Sequence, residues 1–130
     1  MFDDADPLLR RVRTLALALP DAAEKVSHGR PAFFTTKVFA YYGGSVKVDG
    51  TYRPHDHAIL VLVDREERES LLADPRAFVP AYLGASGWIG LDVEPAADWD
   101  EVAELIDASY RRTAGPRRVA ALDARSSSAG

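Results

Sequence analysis

At 130 residues the chain has room for one domain. Its lack of cysteine excludes disulfides, thiolate nucleophiles, iron–sulfur clusters and cysteine-ligated zinc, leaving three histidines and twenty carboxylates as ligands. The net charge of −4 is uneven: residues 1–110 carry nineteen acids against eleven Lys or Arg, whereas residues 111–130 carry one acid and five Arg. An acidic body argues against a nucleic-acid surface unless its bases cluster on one face. No apolar run approaches the ~20 residues that cross a bilayer. The acidic start "MFDDADPLLRR" lacks the features of a secretory signal, so the expectation is a soluble, cytoplasmic protein with no membrane partner.

In chain order, Leu8, Leu9, Val12, Leu15, Ala16 and Leu19 recur at helical spacing. Asp6 stands as N-cap and Pro7 at the first helical position, which predicts a helix over 7–19. From Glu24 the pattern changes to short β-branched and aromatic runs. These predict strands near 24–28, 31–35 and 38–42, a turn at Gly43-Gly44, a short strand at 45–48 and a turn at Asp49-Gly50. "TYRPHDH" reads as a loop, and "AILVLV" (58–63) as a strand covered on both faces in the middle of the sheet. Asp64 with Glu67 opens a helix that stops at Asp74-Pro75, "FVPAYLGASG" is a loop, and "WIGLDV" is a strand. Asp98 with Glu101 opens a last helix whose Trp99, Val102, Ala103, Ile106 and Tyr110 share one face. The single domain ends at residue 116. Residues 117–130, closing in Ser, Ala and Gly, read as a flexible basic tail.

Several phrases occur together: "LALALPDAAEKVSHGRPAF", "KVFAYY", "DPRAFVPAYLGASGWIGLDV" and "DWDEVAELIDASYRRTAGP". In this order and spacing, over residues 8–116, the chain resembles the MmcQ/YjbR-like family. That pattern runs roughly through Leu-Pro, a His-Pro-Ala-Phe-like start to a strand, Gly-Lys-Val-Phe-Ala, Pro-x-Tyr, Gly-Trp-Val and a closing Ser-Tyr helix. The resemblance implies an α+β fold with helices packed on an antiparallel sheet, related to the double-wing domain of a phage transcription factor, and a role in binding DNA. This chain departs from the pattern at the first hairpin, where Thr36-Lys37 stands for Gly-Lys. A turn needing positive φ would be uncomfortable there.

Two binding readings follow. In the first, implied by the resemblance, basic hairpin wings carrying Arg30, Lys37, Lys47 and Arg53 meet nucleic acid, with Arg117 and Arg118 as a clamp. Such binding would be weak and salt-sensitive, and indifferent to sequence because the chain has no Asn or Gln to read adenine. In the second, a groove near His28, Phe33, Tyr82 and Trp88 takes a small ligand or a protein partner.

Catalysis has little support. Ser27 and His28 are adjacent on a strand and point apart, and the glycines at 84, 87 and 90 lead into a strand rather than a phosphate-binding helix. His55, Asp56 and His57 form the only metal-like cluster; on an extended segment the two imidazoles would share one face, but a third ligand is lacking nearby. The expectation is a non-enzymatic binding protein without metal or cofactor.

Overall fold

The computed structural model describes residues 2–129. Helix α1 (Pro7–Leu17) begins where the sequence places it: the Asp6 carboxylate accepts from the Leu8 amide at 2.9 Å, and Pro7 occupies the first turn. Its face of Leu9, Val12 and Ala16 is buried. Strands β1 (Ala23–Ser27) and β2 (Arg30–Phe34) form a hairpin whose two-residue turn has positive φ at both His28 (54°) and Gly29 (77°). That geometry matches the right-handed twist of the strands it joins.

The next two strands are longer than the sequence suggested. β3 (Val38–Val48) runs straight through Gly43-Gly44, and β4 (Thr51–Leu62) includes the whole "TYRPHDH" segment. Gly43 does not turn the chain back. With φ 90° it forms an irregularity at which the register steps from Tyr42↔Ile59 to Gly44↔His55. Reversal comes instead at Asp49-Gly50, where both residues have positive φ (51° and 78°). Lys37 lies in the β2–β3 connection, closed by the Thr35 amide donating to the Lys37 carbonyl at 3.2 Å. None of residues 35–37 has positive φ, so Thr36 meets no strain.

Helix α2 (Arg65–Leu72) starts with the Asp64 carboxylate accepting from the Glu67 amide. A two-residue strand β5 (Ala77–Phe78), a short 3₁₀ turn (Leu83–Ser86) and strand β6 (Trp88–Asp92) follow. Every neighbouring pair in the sheet is antiparallel, in the order β1-β2-β3-β4-β6-β5. "AILVLV" therefore does lie in the interior of the sheet. Helix α3 (Trp99–Thr113), capped by Asp98, completes the α+β architecture by lying with α1 on one face.

Trp99 packs half-buried against the helix-side core that holds Val102, Ile106 and Tyr110: its Nε1 donates to the Pro95 carbonyl at 3.2 Å, and the Arg11 guanidinium lies 4.4 Å above its ring. One finding corrects the sequence reading at the C-terminal end. The segment read as a flexible tail forms helix α4 (Pro116–Ala129). Pro116 starts it, Leu122 is buried in the helix-side core, Arg118 pairs with Asp21 at 3.1 Å, and Arg125 donates to the Ala18 carbonyl at 2.8 Å. The Ala-rich, Ser-rich composition is compatible with a helix once an apolar face has something to cover.

The two faces of the sheet differ. The helix side holds the larger core, in which Phe33, Phe39, Tyr42, Ile59, Leu91 and Tyr110 are almost fully buried. On the opposite side Ala58, Leu60, Phe78 and Trp88 form a smaller cluster, bordered by Leu83 of the 3₁₀ turn and, among the described residues, by no α-helix. A Cβ at Gly90 would collide with the Phe78 ring, so glycine there is what lets that ring lie flat on β6.

Candidate functional site

The helix-free face carries a cavity of about 530 Å³ between the β1–β2 turn and the loop before β6. Tyr41 and Leu60, cross-strand partners on β3 and β4, line it on the sheet itself. Ser27, His28 and Arg30 bound one side, and Ala81, Tyr82 and Leu83 the other. Volume and lining are those of a small-ligand site: mostly apolar, with a few polar groups at one end.

Arg30 is the charged group of this cavity. Arg13, Arg65, Arg76, Arg111 and Arg118 are each tied to a carboxylate, whereas half-buried Arg30, like half-buried Arg68 outside this cavity, forms no ion pair among the described residues. Its side chain lies over Gly43, where an added Cβ would stand 3.6 Å from Arg30 Cδ. Arg30 also borders a second hollow of about 580 Å³, lined by Asp3, Asp6, Asp56 and His57 as well. Arg30 thus lines both an aromatic groove and an acidic one.

In the acidic hollow, Asp6 joins α1 to the sheet. The buried Tyr42 hydroxyl donates to Asp6 Oδ2, and His57 Nδ1 lies 2.9 Å from the same oxygen and 3.0 Å from the Tyr42 oxygen. Burial and the neighbouring Asp6 carboxylate push the Tyr42 hydroxyl far up, so it stays protonated and donates. Burial by itself would raise Asp6, but the Tyr42 hydroxyl, the Leu8 amide and His57 outweigh it and hold the carboxyl below its ordinary value. A depressed carboxyl stabilises the fold above its unfolded pKa of about 3.9, and that contribution is lost as pH falls through the lower folded value. Acid titration followed by circular dichroism should therefore show wild type losing stability below about pH 4 relative to Asp6→Asn, which keeps a capping side chain but cannot titrate. Parallel acid limbs would show that Asp6 is not linked to folding.

His55 and His57 do not share a face. His55 stacks on Phe78 at 3.9 Å between centroids and lies 2.7 Å from Asp92 on β6, whereas His57 turns to Asp6 on α1. The register shift opposite Gly43 breaks the alternation that would have aligned them. Among the described residues no group of three His, Cys, Asp or Glu is placed to hold a metal ion.

The other sequence-derived candidates divide. His28 and Tyr82 line the groove, and Trp88 stands behind it, its ring 5.2 Å from that of Tyr41. Phe33 does not belong: paired with Ala40 in register, it is fully buried on the helix side. Nothing in the sequence singles out Tyr41, Leu60 and Leu83 as groove residues, although strand alternation sends Tyr41 and Tyr42 to opposite faces.

The six cations form no single group either. Lys37 and Arg118 lie at the end of β2 away from Arg30, Arg118 donating to Thr36 Oγ1 at 3.3 Å, with Arg117 next to it on α4. Lys47 and Arg53 belong to the far end of the β3–β4 hairpin, where Lys47 pairs in register with Tyr52 and Arg53 with Val46.

A six-stranded antiparallel sheet, helices on one face and an aromatic groove with an unpaired arginine on the other define a small α+β domain with a cavity on its open face. A family model, YjbR, matches residues 17–112, and the chain belongs to the YjbR family. The matched span contains Leu19-Pro20, the Val38-Phe39-Ala40 strand, Pro80-Ala81-Tyr82, Gly87-Trp88 and Ser109-Tyr110. No curated protein matches the chain. No helix among the described residues is long and apolar enough to cross a membrane.

Proposed function

We propose that this YjbR-family domain is a non-enzymatic binding module, and that its groove takes a small organic anion with an apolar body. The observation that carries this reading is Arg30, an unpaired and half-buried arginine that lines a cavity together with Tyr41 and Leu60. A guanidinium kept partly out of water without a carboxylate is suited to receive one from a ligand, or a phosphate, through paired N–H donors. His28, held in the adjacent turn, supplies a second polar group on the same side. Isothermal titration calorimetry with decanoate and 2-naphthoate is the test. At least one should bind, and Arg30→Gln should weaken it at least tenfold, since a charge-assisted hydrogen bond contributes about 1.5–3 kcal/mol. Binding of neither anion, or binding unchanged by Arg30→Gln, would overturn the reading.

Nucleic-acid binding is the second reading, supported by the hairpin end where Lys47 Nζ lies 5.6 Å above the exposed Tyr52 ring. Tyr52 is itself stacked on Tyr82, so this end offers nucleic acid a cation beside an aromatic pair. Because Lys37, Arg117 and Arg118 lie away from this end, at most three cations (Arg30, Lys47 and Arg53) serve it. The log–log salt slope should then be shallow, about −2 to −3 for single-stranded or duplex oligonucleotides in fluorescence anisotropy. Changing Lys47 and Arg53 to Ala should remove binding, whereas changing Lys37 and Arg117 should not. No binding at low salt would exclude this reading.

A further inference from the structure

We infer that the ligand of the groove carries a flat ring, and that Tyr82 is the residue that selects it by stacking. The inference rests on the groove reading above and goes beyond it in naming the ligand as a planar aromatic anion. Tyr82 is the most exposed large hydrophobic side chain of the described residues, at 81%. An aromatic so placed on a flexible tip would be unremarkable, but this one is fixed. Its backbone has φ 66° and ψ −58°, a sparsely populated region that a non-glycine residue enters only when its surroundings impose it. Three hydrogen bonds impose it here: the Leu83 amide to the Ala81 carbonyl at 2.8 Å, the Gly84 amide to the Pro80 carbonyl at 2.9 Å, and the Ala81 amide to the Ser45 carbonyl at 2.8 Å. The first closes a tight turn on Tyr82, and the last docks that turn on β3.

The ring is fixed as well. It stacks on Tyr52 with centroids 5.8 Å apart and planes 16° apart, and the two hydroxyl oxygens lie 2.6 Å from each other. Tyr82 thus meets Tyr52 on one side, and the same side chain is among those that line the groove, as is Arg30. An aromatic ring held in place and an unpaired cation lining one cavity fit a ligand made of a flat ring and a negative charge. Stacking is set up before the ligand arrives, so little ordering is left for binding to oppose. An aromatic carboxylate and a nucleoside monophosphate share this chemistry.

The test compares 2-naphthoate, AMP and decanoate by calorimetry against wild type, Tyr82→Phe and Tyr82→Leu. Decanoate has an apolar body of similar size but no ring. Naphthoate or AMP should bind at least tenfold tighter than decanoate; the preferred one identifies the ring as that of a carbocyclic acid or of a nucleobase. Tyr82→Leu should weaken the ring-bearing ligand about tenfold more than it weakens decanoate, and Tyr82→Phe should keep the preference. Because Tyr82 is exposed, a circular-dichroism melt should show both variants folded. Equal binding of decanoate and naphthoate, or a ring preference surviving Tyr82→Leu, overturns the stacking inference alone. If none of the three binds, the groove reading falls with it.

Discussion

Replacing Tyr110 by Ala should destabilise the domain by about 3–5 kcal/mol in denaturant melts, the range found when a large buried aromatic is emptied. Tyr110 is fully buried between helix and sheet. Its ring meets that of Phe39 edge to face, with centroids 5.3 Å apart, and its hydroxyl donates to the Pro20 carbonyl at 2.7 Å. The residue therefore joins α3, β3 and the end of the α1 segment. Tyr110→Phe separates the contributions, because it keeps the ring contact and leaves only the Pro20 carbonyl without its donor. That variant should lose about 1–2 kcal/mol. If Tyr110→Ala lost less than about 1 kcal/mol, the helix would not depend on this ring for its seat.

The neighbouring position should give the second largest effect, from a much smaller side chain. Ser109 is the one fully buried polar residue of the described core, and its hydroxyl donates to the Phe39 carbonyl while accepting from the Leu62 amide at 2.8 Å. Paired residues of β3 and β4 begin at Ala40↔Val61, so Phe39 and Leu62 would make the next rung of the ladder. The shift of register between Phe33 and Phe34 leaves Phe39 as the extra residue of a bulge, facing the helices along with Ala40. Ser109 supplies the missing rung. Ser109→Ala would strand a buried carbonyl and a part-buried amide, and should lose about 2–4 kcal/mol. Ser109→Thr keeps the hydroxyl and should recover part of that loss. Equal stability of Ser109→Ala and wild type would show that water replaces the hydroxyl there.

These two residues are the closing Ser-Tyr of the family pattern, and together they give that motif a physical meaning. One completes the hydrogen bonding of a bulged strand, and the other packs on the ring that the bulge turns inward. The Leu-Pro of the same pattern supplies the carbonyl that Tyr110 binds. In the sequence, Ser109 was only a motif letter; nothing local marks a serine in a helix as buried.

What the sequence by itself determined was whatever depends on neighbours along the chain. Asp6, Asp64 and Asp98 cap helices because a short acidic side chain reaches amides two or three residues on. The Asp49-Gly50 turn, the buried interior strand Ala58–Val63 and the family pattern were legible for the same reason. Period-two alternation also established that Tyr41 and Tyr42 part to opposite faces. Which face the helices cover was decided only by the tertiary structure, since that depends on elements distant in the chain. The helices cover the face of Phe33 and Tyr42, which removed Phe33 from the groove and left Tyr41 in it. The bulge at Phe39 and the step at Gly43 are mismatches between two strands, so neither strand read alone reveals them. Arg30 shows the same division: its charge is written in the chain, but its lack of a carboxylate partner and its place beside an aromatic cavity arise from strand pairing that brings β2, Gly43 and the Tyr82 turn together.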